Sequence, residues 1–563
     1  MQKQFNIEEQ LCFCQKTLGK ISAKKLDVLN LFCIIYIELN GEFCMNTAKF
    51  LTKPPQSFWM ASTPASDYPV LKEDLKTDVA IIGGGITGIL CAYLLNKSGL
   101  KTTIVEADHI LQGTTGHTTA KITSQHGLIY NKIKDSISLE IAEQYAEANE
   151  SAIRMIEKTA KENKIECDFT EQSSYVYTLR DGYADKIRDE VDTASSLGIK
   201  AVYLEETPLP FKVKAAVRFD HQAQFHPGKF LRALAEKTNK SGGLIFEQSR
   251  VTDIERKGGY VLTTKQGKRI TAEKVIIASH YPCYNKAGMY FSRLYTERSY
   301  VIAIKAKEAY PGGMYINAEE PARSLRSQLS EHGELIFVGG DHHKTGQGVD
   351  TVRHYKALAD FAHEFFTVED IPYRWSAQDC MTMDGLPCAG YFTSDTPDLY
   401  VATGYGKWGM TNGMASAMIL GDLIIKGESP WQDAYDPSRK TAAASAKSFI
   451  SENLNVAGNL IKGKIQKLPE DVDVKPGEGK IIEAGGQRAG AYRDEHGALH
   501  IVNTTCTHMG CELNWNSAEK SWDCPCHGSR FSFRGDIIEG PAVDPLDMDT
   551  DVNTVKKLIK EDF

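Results

Sequence analysis

Long uninterrupted apolar runs are missing from this 563-residue chain. The longest near its start, Leu26 to Leu39, is too short to span a bilayer and is broken by Asp27 and Asn30. A secretory leader needs a clean apolar core followed by a small-residue cleavage site. Glu38, Asn40, Gly41 and Glu42 stand there instead, and no twin-arginine start is present. The expectation is a cytoplasmic protein with no transmembrane segment. A basic excess is missing too: 65 Lys and Arg face 73 Asp and Glu, for a net charge of −8. No Lys/Arg cluster carries interleaved aromatics, so nothing points to nucleic acid bound by phosphate neutralisation. Cysteine is not scarce. Of 13 cysteines, Cys506, Cys511, Cys524 and Cys526 form one tight C-terminal group. In a cytosolic chain that spacing points to metal before structural bridging.

An apolar content of 42% is that of an ordinary globular protein, and the length allows several domains. Residues 1–44 differ in texture, with Cys12, Cys14, Cys33 and Cys44 crowded together. They read as an atypical extension ahead of a natural start at Met45, or as an N-terminal helix packed on the core. From Thr77 the pattern sharpens. Asp78 to Ile82 reads as a buried parallel strand, Ile89 to Ser98 as a helix, and Thr102 to Val105 as a second strand ending at Glu106, a βαβ unit. Ile137 to Asn163 and Phe230 to Lys240 read as amphipathic helices, and Lys274 to Ala278 and Leu399 to Ala402 as short strands. This is α/β or α+β architecture. Residues 438–479 read as a helix and linker, with the linker proper at Leu468 to Gly479. Gly485-Gly486 and Ile501 to Asn503 then mark a small β domain over 480–563.

Two boxes in that domain carry metal chemistry: Cys506-Thr507-His508-Met509-Gly510-Cys511 and Cys524-Pro525-Cys526-His527-Gly528-Ser529. Each offers a thiolate and an imidazole at short spacing. Two Cys on one iron and two His on the other is the Rieske [2Fe–2S] arrangement, with Cys506, His508, Cys524 and His527 as ligands. Two Cys and two His also suit zinc, although zinc fingers usually keep like residues in one box. Both boxes resemble the Rieske family. The resemblance implies a disulfide between Cys511 and Cys526 beside the cluster, a hydroxyl donor to a bridging sulfide at Ser529, and a covering proline loop at Gly540-Pro541-Ala542.

Gly83, Gly85 and Gly88 give the G-x-G-x-x-G spacing after a strand and before a helix, with Glu106 placed for ribose hydroxyls 21 residues after Gly85. The helix N-terminus, with Ile86, would face the phosphates. Several segments resemble the D-amino-acid oxidase (DAO) superfamily of FAD enzymes, the glycine oxidase, sarcosine oxidase and dimethylglycine dehydrogenase group. Gly113 to Thr119 resembles the flavin loop, including Thr115, His117 and Thr118. Val251 stands where the family touches adenine, and Ala278 closes the strand before a flavin-contacting turn. Leu399 to Thr411 resembles the C-terminal flavin motif, with Gly404, Gly406, Gly409, Met410 and Thr411. Asp384-Gly385-Leu386-Pro387 is a further marker. The resemblance covers about Thr77 to Lys426 and implies a Rossmann-like, glutathione-reductase-type FAD domain interleaved with an α+β substrate domain over 45–437. A small all-β Rieske domain follows.

Asp379 stands where amino-acid oxidases of this group carry the Arg that clamps the substrate carboxylate. A carboxylate there repels another and attracts an ammonium, unless it only bonds backbone or Arg374. His117 resembles a position at which dimethylglycine-dehydrogenase-like members join flavin covalently; the other reading is a hydrogen bond to flavin or backbone. Asp379 and His117 are the candidate catalytic residues. His342-His343 is expected to cap a loop, His226 to begin a helix, and Arg323 and Arg326 to be solvated surface arginines. The expected function is an FAD-dependent dehydrogenase of a small amine or amino-acid-like substrate that passes electrons through the cluster to an external acceptor. An oxygen-using oxidase with an accessory Rieske domain, or a redox sensor using Cys511 and Cys526, are the alternatives. Phe531 stands where high-potential Rieske proteins place a Tyr whose hydroxyl bonds a cysteine sulfur. Its missing hydroxyl predicts a lower cluster potential. Protein-film voltammetry checks this, and a midpoint as high as in cytochrome bc-type Rieske proteins would contradict it.

Overall fold

The apolar run before the glycines becomes the central strand Leu75–Ile82, and its Val79, Ala80 and Ile81 lose all contact with solvent. The strand pairs in parallel with Thr102–Val105 on one side and Arg269–Ile277 on the other. Leu244–Phe246 and Leu399–Thr403 extend the parallel set outward. Strands buried on both faces need near-continuous apolar side chains, which is why these segments read as runs and not as alternation. The helices Ile86–Lys97 and Gly409–Lys426 pack closely where Gly413 leaves room: a Cβ there would lie 3.1 Å from Ile86 Cγ2. The computed structural model describes residues 50–284, 286–331, 333–348, 350–439, 442–465, 473–484 and 487–547.

A second, nine-stranded, mostly antiparallel sheet stands beside the first. Its order begins Val368–Thr382, Leu294–Ala306, Gly333–Lys344, Arg323–Ser330, Met314–Asn317 and ends at Lys121–Ile122. The helix expected over Ile137 to Asn163 is Leu139–Glu162, and a separate short helix, Tyr130–Ser136, precedes it. Ser138 is extended between them and accepts from Ile141 N as N-cap. Pro227 starts the helix Pro227–Lys240 one turn ahead of the expected Phe230, with the His226 side chain accepting from Lys229 N. His342 and His343 do not cap a loop; they lie within the strand Gly333–Lys344.

The C-terminal region is two small antiparallel sheets, one of three strands and one of four. Trp522, Phe531 and Leu513 form its core with the cysteines of both boxes. The helix Ala442–Ile465 runs to it, and Val456 and Leu460 pack on that core. Residues 468–472 of the expected linker fall outside the described residues, as do residues 1–44 and the Gly485-Gly486 turn. No helix among the described residues is long and apolar enough to cross a membrane.

This β region is seated directly on the second sheet. Gly346 passes so close that a Cβ would sit 2.6 Å from Cys524 C, and one on Gly528 would sit 2.2 Å from Thr296 Oγ1. Asn514 Nδ2 donates to Gly346 O at 2.7 Å, and Thr351 Oγ1 to Asn516 Oδ1 at 2.7 Å. A charged clamp sits at the centre. Arg298, whose side chain is 2% exposed, reaches Glu539 at 3.2 Å, and Glu539 also takes Arg530 at 2.9 Å. Burial pushes the Glu539 carboxyl up, but Arg530 and Arg298 outweigh it and hold the group down to about 2. Breaking a buried pair by removing one partner strands the other charge. Arg298→Ala should therefore cost about 3 kcal/mol in urea unfolding; a loss under about 1 kcal/mol, the level of an exposed pair, would show that the clamp does not hold this interface.

Candidate active site and metal centre

A cavity of about 510 Å³ is lined by residues of both sheets and of the C-terminal region, Gly83 and Val543 among them. At its nucleotide end the glycines are forced by close approach. Gly83 has φ +109°, and a Cβ there would meet Ala278 O at 2.5 Å. A Cβ on Gly88 would lie 1.9 Å from Gly83 O, so Gly88 packs helix on strand and does not line the cavity. Gly85 is the N-cap of the helix and makes no side-chain cap, leaving a bare helix start beside the cavity. Glu106 lines the wall and accepts from Gly84 N at 2.7 Å and Asp108 N at 3.0 Å. Burial pushes its carboxyl up against those donors. Val251, Ala278, Ile86, Thr115 and Thr118 border the same space. A bare helix start, close-packed glycines and an acid on the next strand fit the diphosphate and ribose of FAD.

At the other end Gly406, Gly409 and Met410 line the cavity, whereas Gly404 and Thr411 do not. Gly404 makes the turn against Thr382, and Thr411 Oγ1 donates to Thr123 O at 2.9 Å. His117 lines the wall with Nδ1 on Gly113 O at 2.9 Å, which leaves Nε2 as its other ring atom, and burial lowers its pKa. Asp379 is 7% exposed and accepts from Ser299 Oγ at 3.2 Å. Burial raises its carboxyl to about 7, with Lys407 opposing.

Two cations that the sequence did not single out border the cavity. Lys407 pairs with Glu297 at 3.1 Å. Lys121 donates to Tyr315 O at 2.8 Å, and burial, then Arg326, lowers it to about 7. A lysine inside the two-residue strand Lys121–Ile122 carries no motif, so only the fold reveals its burial. Arg326 corrects the expectation of a solvated arginine: it is fully buried and donates to Ala120 O at 2.9 Å. Arg323 pairs with Asp341 at 2.8 Å.

The four expected cluster ligands gather as two like pairs. The Cys506 and Cys524 thiols share a hydrogen bond that pulls Cys506 down to about 7 and pushes Cys524 up. The His508 and His527 rings stand 5.0 Å apart at 86°. Burial lowers both imidazoles to about 4, so both are neutral and able to ligate. His527 Nδ1 is buried without a hydrogen-bond partner among the described residues. Cys511 and Cys526 are joined by a disulfide. The three donors that do lie within 4.8 Å of one another are Cys511, Cys524 and Cys526, and two of those sulfurs are spent in that bond. Thiols paired with thiols and imidazoles with imidazoles fit one iron for each pair better than a single zinc. Ser529 Oγ accepts from Ala542 N at 3.0 Å, tying the box to the proline loop.

That loop joins the two centres. Gly540, Pro541 and Ala542 line the same cavity as Gly85 and His117. Gln378, 1% exposed, spans the remaining gap. Its Nε2 donates to Gly528 O at 2.9 Å, and its own carbonyl accepts from Thr114 Oγ1 in the glycine-threonine loop at 3.1 Å.

Comparison with known proteins agrees with this geometry. The family described as FAD dependent oxidoreductase (DAO) matches residues 78–423, and the Rieske [2Fe-2S] domain matches residues 464–556. The Rieske 2Fe-2S iron-sulfur protein YhfW of Bacillus subtilis is 43% identical over 89% of this chain and 99% of its own. Gamma-glutamylputrescine oxidoreductase of Escherichia coli is 22% identical over 68% of this chain and 92% of its own. Glycine oxidase from Geobacillus kaustophilus superposes with a TM-score of 0.53 at 18% identity, covering 65% of this chain and 99% of that one, a likeness of fold.

Asp379 also makes a stability prediction. The unfolded side chain loses its proton near pH ~4, whereas the buried native one keeps it to about 7. Within that window the native state binds more protons, so stability falls as pH rises. Asp379→Asn should remove this decline, leaving the variant ~1–4 kcal/mol better off relative to wild type at about pH 8 than at about pH 4. Urea unfolding at both pH values measures it, and parallel curves for the two proteins would refute it.

Proposed function

The chain belongs to the FAD dependent oxidoreductase family named DAO and ends in a Rieske domain, and we propose that it oxidises a small amine or amino-acid-like substrate in the cytoplasm and passes the electrons through the cluster to an external acceptor. Bound FAD would supply the two-electron acceptor and the cluster a one-electron carrier. In this reading residues 45–437 bind flavin and substrate, and residues 480–563 hold the cluster on Cys506, His508, Cys524 and His527. Gly83 and Gly85 admit the diphosphate and Glu106 the ribose. Asp379, in a wall that excludes water, attracts a cationic amine and becomes fully ionised once that charge arrives. His117 keeps its Nε2 for the flavin side of the cavity.

The observation that carries the proposal is the continuity of the site. The Gly540-Pro541-Ala542 loop forms part of the cavity wall, and Gln378 hydrogen-bonds Gly528 of the second box and Thr114 of the glycine-threonine loop. A spare or structural appendage has no need of that arrangement. The relative named gamma-glutamylputrescine oxidoreductase supports an amine substrate. Cys511 and Cys526 are 1% and 6% exposed, which speaks against thiol-exchange sensing, since exchange needs access.

The test is an anaerobic reductive titration followed by flavin absorbance and by EPR of the reduced cluster. Flavin reduction should bring up the Rieske signal without an added mediator. A cluster that stays oxidised until a mediator is supplied would hand the lead to the oxygen-using oxidase.

A further inference from the structure

Lysine is almost never fully buried without a partner of opposite charge, because stripping water from an ammonium is costly. Lys121 departs from that rule. It is 8% exposed and lines the cavity, and among the described residues no carboxylate pairs with it. Its ammonium donates to Tyr315 O at 2.8 Å and to Ser324 Oγ. An ammonium carries three N–H groups, so one is left for the cavity. Its charged neighbour is a second buried cation, Arg326, whose donors go to the carbonyls of Thr119, Ala120 and Ser327 and to Gln328 Oε1. Two buried cations side by side without an acid favour an incoming anion. The other lysine of the wall, Lys407, is already paired with Glu297 at 3.1 Å.

The sheet register sets Lys121 apart from Asp379. Val301 stands opposite Gly339, Gly339 opposite Ser324 and Ser324 opposite Ile316, and all four line the cavity. Cross-strand partners share a face, and Gly339 leaves the middle of this row without a side chain. Lys121 is bonded to the Ser324 end. Asp379 is bonded to Ser299, which lies two residues before Val301 and so on the same face. The strands that carry Ser299 and Ser324 are two spacings apart, about 10 Å, with a further ~7 Å along the strand. In an α-amino acid the nitrogen and the carboxylate hang on one carbon, too close together to meet both ends.

We propose that Lys121 is an anion subsite of the substrate cavity, and that the substrate is an amine whose carboxylate stands several bonds away from its nitrogen. The ammonium goes to Asp379 and the carboxylate to Lys121, along the row that Gly339 keeps open. This rests on the reading that Asp379 holds the amine.

The experiment is isothermal titration calorimetry on the full-length, oxidised, FAD-loaded protein, wild type and Lys121→Met. The probes are δ-aminovalerate, glycine, n-pentylamine and pentanoate. Wild type should bind δ-aminovalerate about tenfold more tightly than glycine or n-pentylamine, the worth of one charged hydrogen bond. K121M should lose that preference and its hold on pentanoate, with n-pentylamine kept within about twofold. Unchanged affinity for δ-aminovalerate and pentanoate in a variant with full FAD overturns the proposal. A lowered flavin midpoint in K121M with pentanoate affinity intact assigns Lys121 to the flavin and overturns it too. If K121M loses FAD, the wild type decides: a preference for δ-aminovalerate over n-pentylamine supports the subsite, and equal affinities overturn it. Pentanoate carries no amine, so failure of the amine reading shows separately, as pentanoate binding that needs Lys121 in a protein that binds no amine.

Discussion

The arrangement depends on one buried ionic contact, Glu539 held between Arg298 and Arg530. Arg298 belongs to the nine-stranded sheet, while Glu539 and Arg530 belong to the C-terminal sheets. Two cations on one carboxylate would be unstable in water, where each would keep its hydration. Behind the interface the desolvation cost is met only by full pairing, with Ser376 and Asp523 taking the remaining donors. Directional charged bonds of this kind fix register more than they add stability. Here they set Glu539, and so the Gly540-Pro541-Ala542 loop that follows it, against the flavin cavity.

The cavity in turn shows how a scaffold treats charge it cannot hydrate. Asp379 and Lys121 are each displaced by burial toward their neutral forms. Groups in that condition respond strongly to a ligand of opposite sign, because an incoming charge restores what desolvation removed. The metal boxes follow the opposite logic. Their imidazoles are kept neutral by burial, and the Cys506 and Cys524 thiols share a hydrogen bond that lowers the first and raises the second.

How much of this was legible in the sequence divides along the range of the interactions. The glycine spacing, the two Cys-His boxes and the disulfide partners are local patterns, and each lies where its motif implied. Helix limits slipped where a cap decided them, as at Ser138 and Pro227, because one side-chain bond outweighs periodicity. The misread residues, Arg326, His342 and His343, and the overlooked ones, Lys121 and Gln378, owe their environment to segments far away in the chain. A lone arginine on a strand carries no mark that Trp59 and the Thr119–Ala120 backbone will cover it. Gln378 acquires its place only because Gly528 and Thr114 arrive from opposite directions.

The burial of three of the four proposed cluster ligands also bears on how the site is filled. Cys524 is fully buried, Cys506 is 2% exposed and His527 3% exposed, and the second box is pressed against backbone on the flavin side. His508, the fourth proposed ligand, is half-buried, so the open side of the site is the His508 side. A cluster held there would share its buried side with the interface that the Glu539 contacts close. On the proposed ligand set, filling the site and docking the C-terminal sheets are therefore coupled, since both draw on the same buried surface.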